Sequence, residues 1–215
     1  MGGTDAAGMR VGVPAPRPRM AMPTAAGALM RTAAPKPKPA ATTVASVIAR
    51  AQRGEPEAFD ELVDCYAGRL CGFFRRMLGR RAEAEDLVQE VFVRVVQTID
   101  RYREDGRFEP WLFRIAANLA RDRLRRRVTD GRDDQPIVRD VAHAEPDPLV
   151  LREDLDRLQR AMSRLPQAER EVILLRHYGQ LQFDEIALLT ETPIGTALAR
   201  AYRGLSKLRG WIESP

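Results

Sequence analysis

The chain has 215 residues, with 35 Lys or Arg against 30 Asp or Glu and a formal charge of +5, enough for one or two modest domains. Two cysteines, two histidines and no apolar run of about 18 residues give no basis for a disulfide scaffold, a Cys/His metal site or a membrane-spanning helix. Six basic residues and one acid fall in residues 1–40, so the rest of the chain is neutral and its arginine clusters imply directed contacts rather than a uniformly basic surface.

Residues 1–42 form a basic, Pro- and Ala-rich extension with seven prolines in its first 40 positions. Too few bulky apolar side chains are present to offset ordering entropy, so disorder is expected. Arg17 and Arg19 precede a leader-like run, Met20 to Met30, but Pro23, Gly27 and the alanines make a poor apolar core. A first helical domain is expected over 43–127. It opens with a short helix over Val44 to Gln52; Pro56 then suits the first turn of a longer helix that carries Phe59, Leu62, Val63, Tyr66, Leu70, Phe73 and Met77 and stops near Gly79. Cys65 and Cys71 lie on this helix, about 9 Å apart by rise alone, and cannot bridge; they read as reduced thiols of a cytoplasmic protein.

The next helix carries Leu87, Val88, Val91, Phe92, Val95 and Ile99 as its apolar stripe and opens with the acids Glu83, Glu85, Asp86 and Glu90. A polar loop from Arg103 to Pro110 leads to another helix, with Trp111, Leu112, Ile115, Ala116 and Leu119 inward and five arginines between 121 and 127. The acidic start is suited to a basic partner and the arginine-rich end to an anion.

Residues 128–148, with six acids and three prolines, read as a flexible acidic linker between two separately folded units. The second unit, 149–212, contains a helix ending before Pro166 and another ending at Gly179. A short helix over Phe183 to Leu189 and a longer one from Pro193 follow. In the last, Ile194, Ala197, Ala201, Leu205, Leu208 and Ile212 form the expected buried stripe, with Thr196, Arg200, Arg203 and Lys207 opposite. A short helix, a tight turn and a longer basic helix make a helix-turn-helix, whose second helix enters a DNA major groove. The fold class is therefore all-α, in two small helical domains. No acid and base pair, metal-ligand set or phosphate-cradling glycine loop supports an enzyme, a metal or a cofactor.

The run AEDLVQEVF (Ala84 to Phe92), followed by WLFRIAANLARDRLRRR, LPQAEREVILLRHYG, FDEIA and Pro193-Ile194-Gly195-Thr196, resembles the extracytoplasmic-function sigma factors, the small two-domain members of the bacterial sigma-70 family. The resemblance implies that region 2 is the first domain and region 4 the second. It implies that Asp86, Gln89 and Glu90 dock on core RNA polymerase. It places Arg103, Arg107, Phe108, Asn118, Arg121, Arg125 and Arg126 on the minus 10 element of promoter DNA, the loop holding a flipped base and the arginines holding phosphates. Thr196, Arg200, Arg203 and Lys207 would meet the minus 35 element, and an anti-sigma protein is an implied partner.

Region 4 departs from the family pattern. Thr190, Glu191 and Thr192 stand where an apolar residue, Gly and Ile or Val are usual, Ala197, Leu198 and Ala199 stand for Val-Lys-Ser, and Ala201 and Tyr202 for Leu-His. A thinner core, a strained turn and fewer polar donors are the expected consequences. Two other readings fit the same residues: a standalone helix-turn-helix regulator, or an adaptor that uses these helices on polymerase or an anti-sigma protein without reading DNA.

Overall fold

The computed structural model describes residues 41–129 and 149–213; most of the basic extension and most of the acidic linker lie outside the described residues. The described residues contain helices and no strand. These are α1 (Ala41–Gln52), α2 (Pro56–Leu78), α3 (Arg81–Thr98) with a 3-10 turn at Ile99–Arg101, α4 (Phe108–Thr129), α5 (Leu149–Arg164), α6 (Gln167–His177), α7 (Phe183–Leu189) and α8 (Ile194–Glu213).

Helix α2 begins with Pro56 and ends at Gly79 with φ 77°, so both expected punctuation marks are used. Its buried face packs Leu62, Tyr66, Leu70, Phe73 and Met77 against Leu87, Val88 and Val91 of α3 and Leu112, Phe113 and Ala116 of α4. Phe73 meets Phe113 edge-on at 5.8 Å. Val63, expected on this face, is only half-buried.

Three boundaries move. Helix α1 starts at Ala41, ahead of the expected Val44 and inside the expected 1–42 extension. Helix α4 starts at Phe108 and continues to Thr129, so the loop is shorter than the expected Arg103 to Pro110, and Val128 and Thr129 are helical rather than linker. Glu104 and Asp105 cause the early start: their carboxylates accept from the amides of Gly106 (2.6 Å) and Arg107 (3.1 Å) and turn the chain into the helix.

The second correction concerns α8. Ala197, Ala201 and Leu208 are buried as expected, but Ile194 and Leu205 are exposed. The helix turns its small side chains to α6: a Cβ at Gly204 would lie 2.7 Å from Ile173 Cδ1. A close backbone approach through Ala197, Ala201 and Gly204 displaces the bulkier residues to the flank.

The two helical groups also pack on each other rather than standing apart. Arg170 of α6 donates to the Met77 carbonyl at the end of α2 (3.0 Å), and Arg69 of α2 donates to the Tyr178 carbonyl (2.7 Å).

Candidate partner and nucleic-acid interfaces

On α3, Leu87, Val88 and Val91 face the core, which leaves Asp86, Gln89 and Glu90 exposed together on the outer face. Among the described residues Glu90 pairs with Arg94 of its own helix (2.9 Å), a contact of the weak surface kind. Glu83 is spent differently. It binds Arg127 of α4 at 2.5 Å, with Arg123 at 3.8 Å, and Arg127 also donates to the Leu78 carbonyl (2.9 Å). The acidic start of α3 and the basic end of α4 thus meet each other in part, where each was expected to face an external partner.

The loop before α4 is held at its base. Gln52 donates to the carbonyls of Ile99 (3.0 Å) and Tyr102 (2.6 Å), and Tyr102, Phe108 and Trp111 stack within 4.8 to 5.6 Å of one another. Phe108 is 3% exposed and also lies 5.5 Å from the Tyr66 ring. The minus 10 contact implied for Phe108 is therefore not supported by its place: it anchors the loop from below, and burial raises the pKa of its neighbours Tyr66 and Tyr102. Arg103 and Arg107 are exposed at the loop.

Beneath the loop lies an ion pair that sequence reasoning missed. Arg69 Nη1 donates to Glu109 Oε1 at 2.8 Å, with both side chains under a tenth exposed. The available signal was Arg69 at helical spacing between Tyr66 and Phe73, on the apolar face of α2. Its partner is 40 residues away.

Helical spacing brings Arg114, Asn118, Arg121 and Arg125 onto one face of α4, about 17 Å long at 1.5 Å per residue, with Arg107 in the loop just before the helix. Arg114 is exposed and was missed, although it stands four residues before Asn118. Arg121 Nη1 donates to Asn118 Oδ1 (3.0 Å), and Arg125 pairs with Asp122 (2.9 Å). Arg126 is exposed on another flank. An exposed face of guanidinium groups around one amide can hold phosphates and offer a directed donor and acceptor to a base.

The helix-turn-helix forms as expected over α7 and α8. Gln182 N donates to Glu185 Oε2 (2.8 Å) to start α7. Glu191 occupies the left-handed region with φ 52°, the conformation that a turn glycine takes without strain. Thr190 and Thr192 brace it: their hydroxyls lie 2.9 Å apart, and Thr190 Oγ1 donates to the Ile186 carbonyl (2.8 Å).

The basic residues of α8 do not occupy the side opposite the core. Thr196, Arg200 and Lys207 are half-buried on one flank, where Lys207 Nζ donates to both Glu169 oxygens (3.0 and 2.9 Å) and Arg203 Nε lies 3.5 Å from Glu169. The other flank exposes Ile194, Leu198, Tyr202 and Leu205, Tyr202 at 76%. Ala201 and Leu205 also line an open groove of about 760 Å³ between α5, α6 and α8. Glu171 of α6 lies 2.6 Å from Arg121 Nη2 as a close ion pair. Burial nevertheless raises its pKa, against the pull of Arg121 and Arg200.

Known proteins resemble this chain in sequence and fold. The sigma-70 region 2 family model matches residues 62–129 and the sigma-70 region 4 model matches residues 155–208. The chain is 34% identical over 170 residues to the ECF RNA polymerase sigma factor SigW of Bacillus subtilis, covering 74% of this chain and 90% of that protein. It is 39% identical over 160 residues to the RNA polymerase sigma factor CarQ of Myxococcus xanthus, covering 73% and 90%. The fold is shared with CnrH, solved in complex with the cytosolic domain of CnrY (TM-score 0.60, 24% identity, 78% of this chain and 96% of that one). It is also shared with the sigma factor RpoE from Bartonella quintana, solved in complex with the anti-sigma factor NepR (TM-score 0.60, 22% identity, 73% and 97%).

Proposed function

Because the chain belongs to the extracytoplasmic-function sigma factors of the sigma-70 family, we propose that it binds core RNA polymerase through Asp86, Gln89 and Glu90 and brings α4 onto the minus 10 element of a promoter. It is an RNA polymerase sigma factor by that membership, and the chemistry of RNA synthesis belongs to the polymerase. One observation carries the residue-level reading: α3 exposes Asp86, Gln89 and Glu90 and α4 exposes Arg114, Asn118 and Arg125, while both helices bury their other sides in one core. One rigid domain can thus hold protein and DNA at once. Asn118 supplies the directed base contact, and Arg103, Arg107, Arg114, Arg121 and Arg125 supply phosphate contacts, with Arg126 at the margin.

Region 4 is proposed to reach the minus 35 element with Thr196, Arg200 and Arg203, with Lys207 committed to Glu169. The exposed flank of Ile194, Leu198, Tyr202 and Leu205 favours a second reading for this region alone, as an adaptor surface that contacts protein. An anti-sigma protein is a proposed partner, since the sigma factor RpoE, which shares this fold, was solved with the anti-sigma factor NepR. No helix among the described residues is long and apolar enough to cross a membrane. As a subunit that works on polymerase, the protein is proposed to act in the cytoplasm.

The test mixes purified core polymerase, the chain and a promoter library, and sequences the transcript starts. Defined starts that depend on the chain are expected. Joint replacement of Asp86, Gln89 and Glu90 by Ala should weaken assembly with core while leaving helicity intact, because these groups fill no core position. Unchanged affinity in a direct titration would remove the assignment.

A further inference from the structure

Helix α8 turns Ala197, Ala201, Gly204 and Leu208 inward. Facing away from them, at spacings of three and four, stand Gly195, Leu198, Ala199 and Tyr202. Leu198 is 46% and Tyr202 76% exposed, whereas Leu205 turns to the groove between α5, α6 and α8. This outward strip offers no hydrogen-bonding side chain except the Tyr202 hydroxyl. The polar residues stand to one side, Thr196 and Arg200 half-buried and Arg203 exposed with its Nε 3.5 Å from Glu169. A Cβ at Gly195 would meet nothing within 4 Å. The packing of the protein therefore does not require glycine there, and glycine weakens a helix relative to alanine. What the missing side chain leaves is room for an outside surface to come close to the backbone.

Charge decides what covers the strip. Four cations and no acid lie between Pro193 and Gly210, so an apolar line is framed by groups that suit phosphates. The strip is about 10 Å long from residue 195 to 202, the span of about three base steps. Thymine is the base whose major-groove edge carries an apolar group, its C5-methyl. Resting on the reading that region 4 reaches the minus 35 element, we propose that Leu198, Ala199 and Tyr202 read that element through thymine methyl groups. Specificity is for a run of about three T·A pairs, set by apolar contact in place of hydrogen bonds, with Arg200 and Arg203 on the flanking phosphates. A G·C pair brings no methyl to the strip, and its polar edge would lose water against Leu198 without gaining a partner.

The test uses the full chain with core polymerase on a promoter library randomised across the minus 35 element. A T·A run of about three pairs should be enriched. The selected promoter is then made with deoxyuridine for thymidine in that run, which removes the methyl groups and leaves every hydrogen-bonding group in place. Each replacement should weaken the closed complex about fourfold. In Leu198→Ala/Tyr202→Ala, whose changes lie on the surface and should leave the melting temperature unmoved, the two promoters should bind nearly alike. Equal binding of both promoters by wild type overturns the inference, as does enrichment of G·C pairs. Sensitivity to deoxyuridine that survives in the double variant also overturns it, because the methyl groups would then act through DNA shape. Defined starts with no upstream enrichment would make the strip a protein-binding surface and leave the sigma-factor reading standing. Loss of defined starts altogether would strike that reading and the inference with it.

Discussion

Helices α4 and α8 are both basic, and both are the DNA helices implied for their domains, yet they hold their cations differently. On α4 the arginines and Asn118 share a face supported from beneath by Leu112, Phe113 and Ala116, and Arg114 and Asn118 are exposed. On α8 the close approach to α6 rotates the helix so that Lys207 and Arg203 turn towards Glu169, and an apolar flank is left outside. Charge count alone would equate them. What separates them is the side of the helix that the core takes, and this decides whether a cation is free for phosphate or already holds a carboxylate.

The largest effect should come from the ion pair under each helix. Arg69 and Glu109 are buried together, so Arg69→Met leaves a carboxylate in the interior and should cost about 3 to 5 kcal/mol. Lys207 is 40% exposed in its pair with Glu169, and Lys207→Met should cost only about 1 kcal/mol. Urea denaturation of the full chain separates them. Similar losses for both would mean that Glu169 is as dependent on its partner as Glu109, and the contrast between the two helices would shrink.

A smaller effect distinguishes cations that serve DNA from cations that serve the fold. Arg114→Ala should leave the melting temperature unchanged and lower the slope of log affinity against log salt, for promoter binding by the polymerase complex, by about one unit. Lys207→Ala should do the reverse, loosening region 4 with little change in slope. If the Lys207 variant loses a full unit, the lysine leaves Glu169 for phosphate when DNA arrives, and α8 reads DNA more as α4 does.

Much of this was legible in the sequence where the cause is local. Pro56 and Gly79 bound α2, the 3.6-residue stripe of α3 marked its core, and Phe183 to Leu189 was delimited by the turn residues around it. Interactions over long separations were not. Arg69 and Glu109 are 40 residues apart, and Arg127 and Glu83 are 44 apart, so nothing local pairs them. Helix α8 misled for a different reason: it carries two overlapping apolar series, Ala197, Ala201 and Leu208, and Ile194, Leu198 and Leu205. Bulk favours the second, whereas the approach permitted by Gly204 selects the first. The packing of region 4 on region 2 left only the mark of Gly72 within a helix, whose use appears once the Tyr178 ring lies on it.

The smallest expected effect tests whether the turn, rather than the direction of the cations, sets α8 apart. Glu191 holds φ 52° where glycine would sit without strain. The left-handed conformation costs a non-glycine residue roughly 1 to 2 kcal/mol, and glycine gives back roughly 0.5 to 1 in chain entropy, so Glu191→Gly should stabilise region 4 by about 0.5 to 1 kcal/mol. Thr190→Val, which removes the hydroxyl bonds to Ile186 and Thr192, should lower stability by about 1 kcal/mol. Both changes leave Arg200, Arg203 and Lys207 untouched. If Glu191→Gly raises stability while the upstream footprint of the polymerase complex stays as it was, the direction of the cations limits minus 35 contact. A stronger footprint would place the limit in the turn, and no gain in stability would mean that the two threonines already relieve its strain.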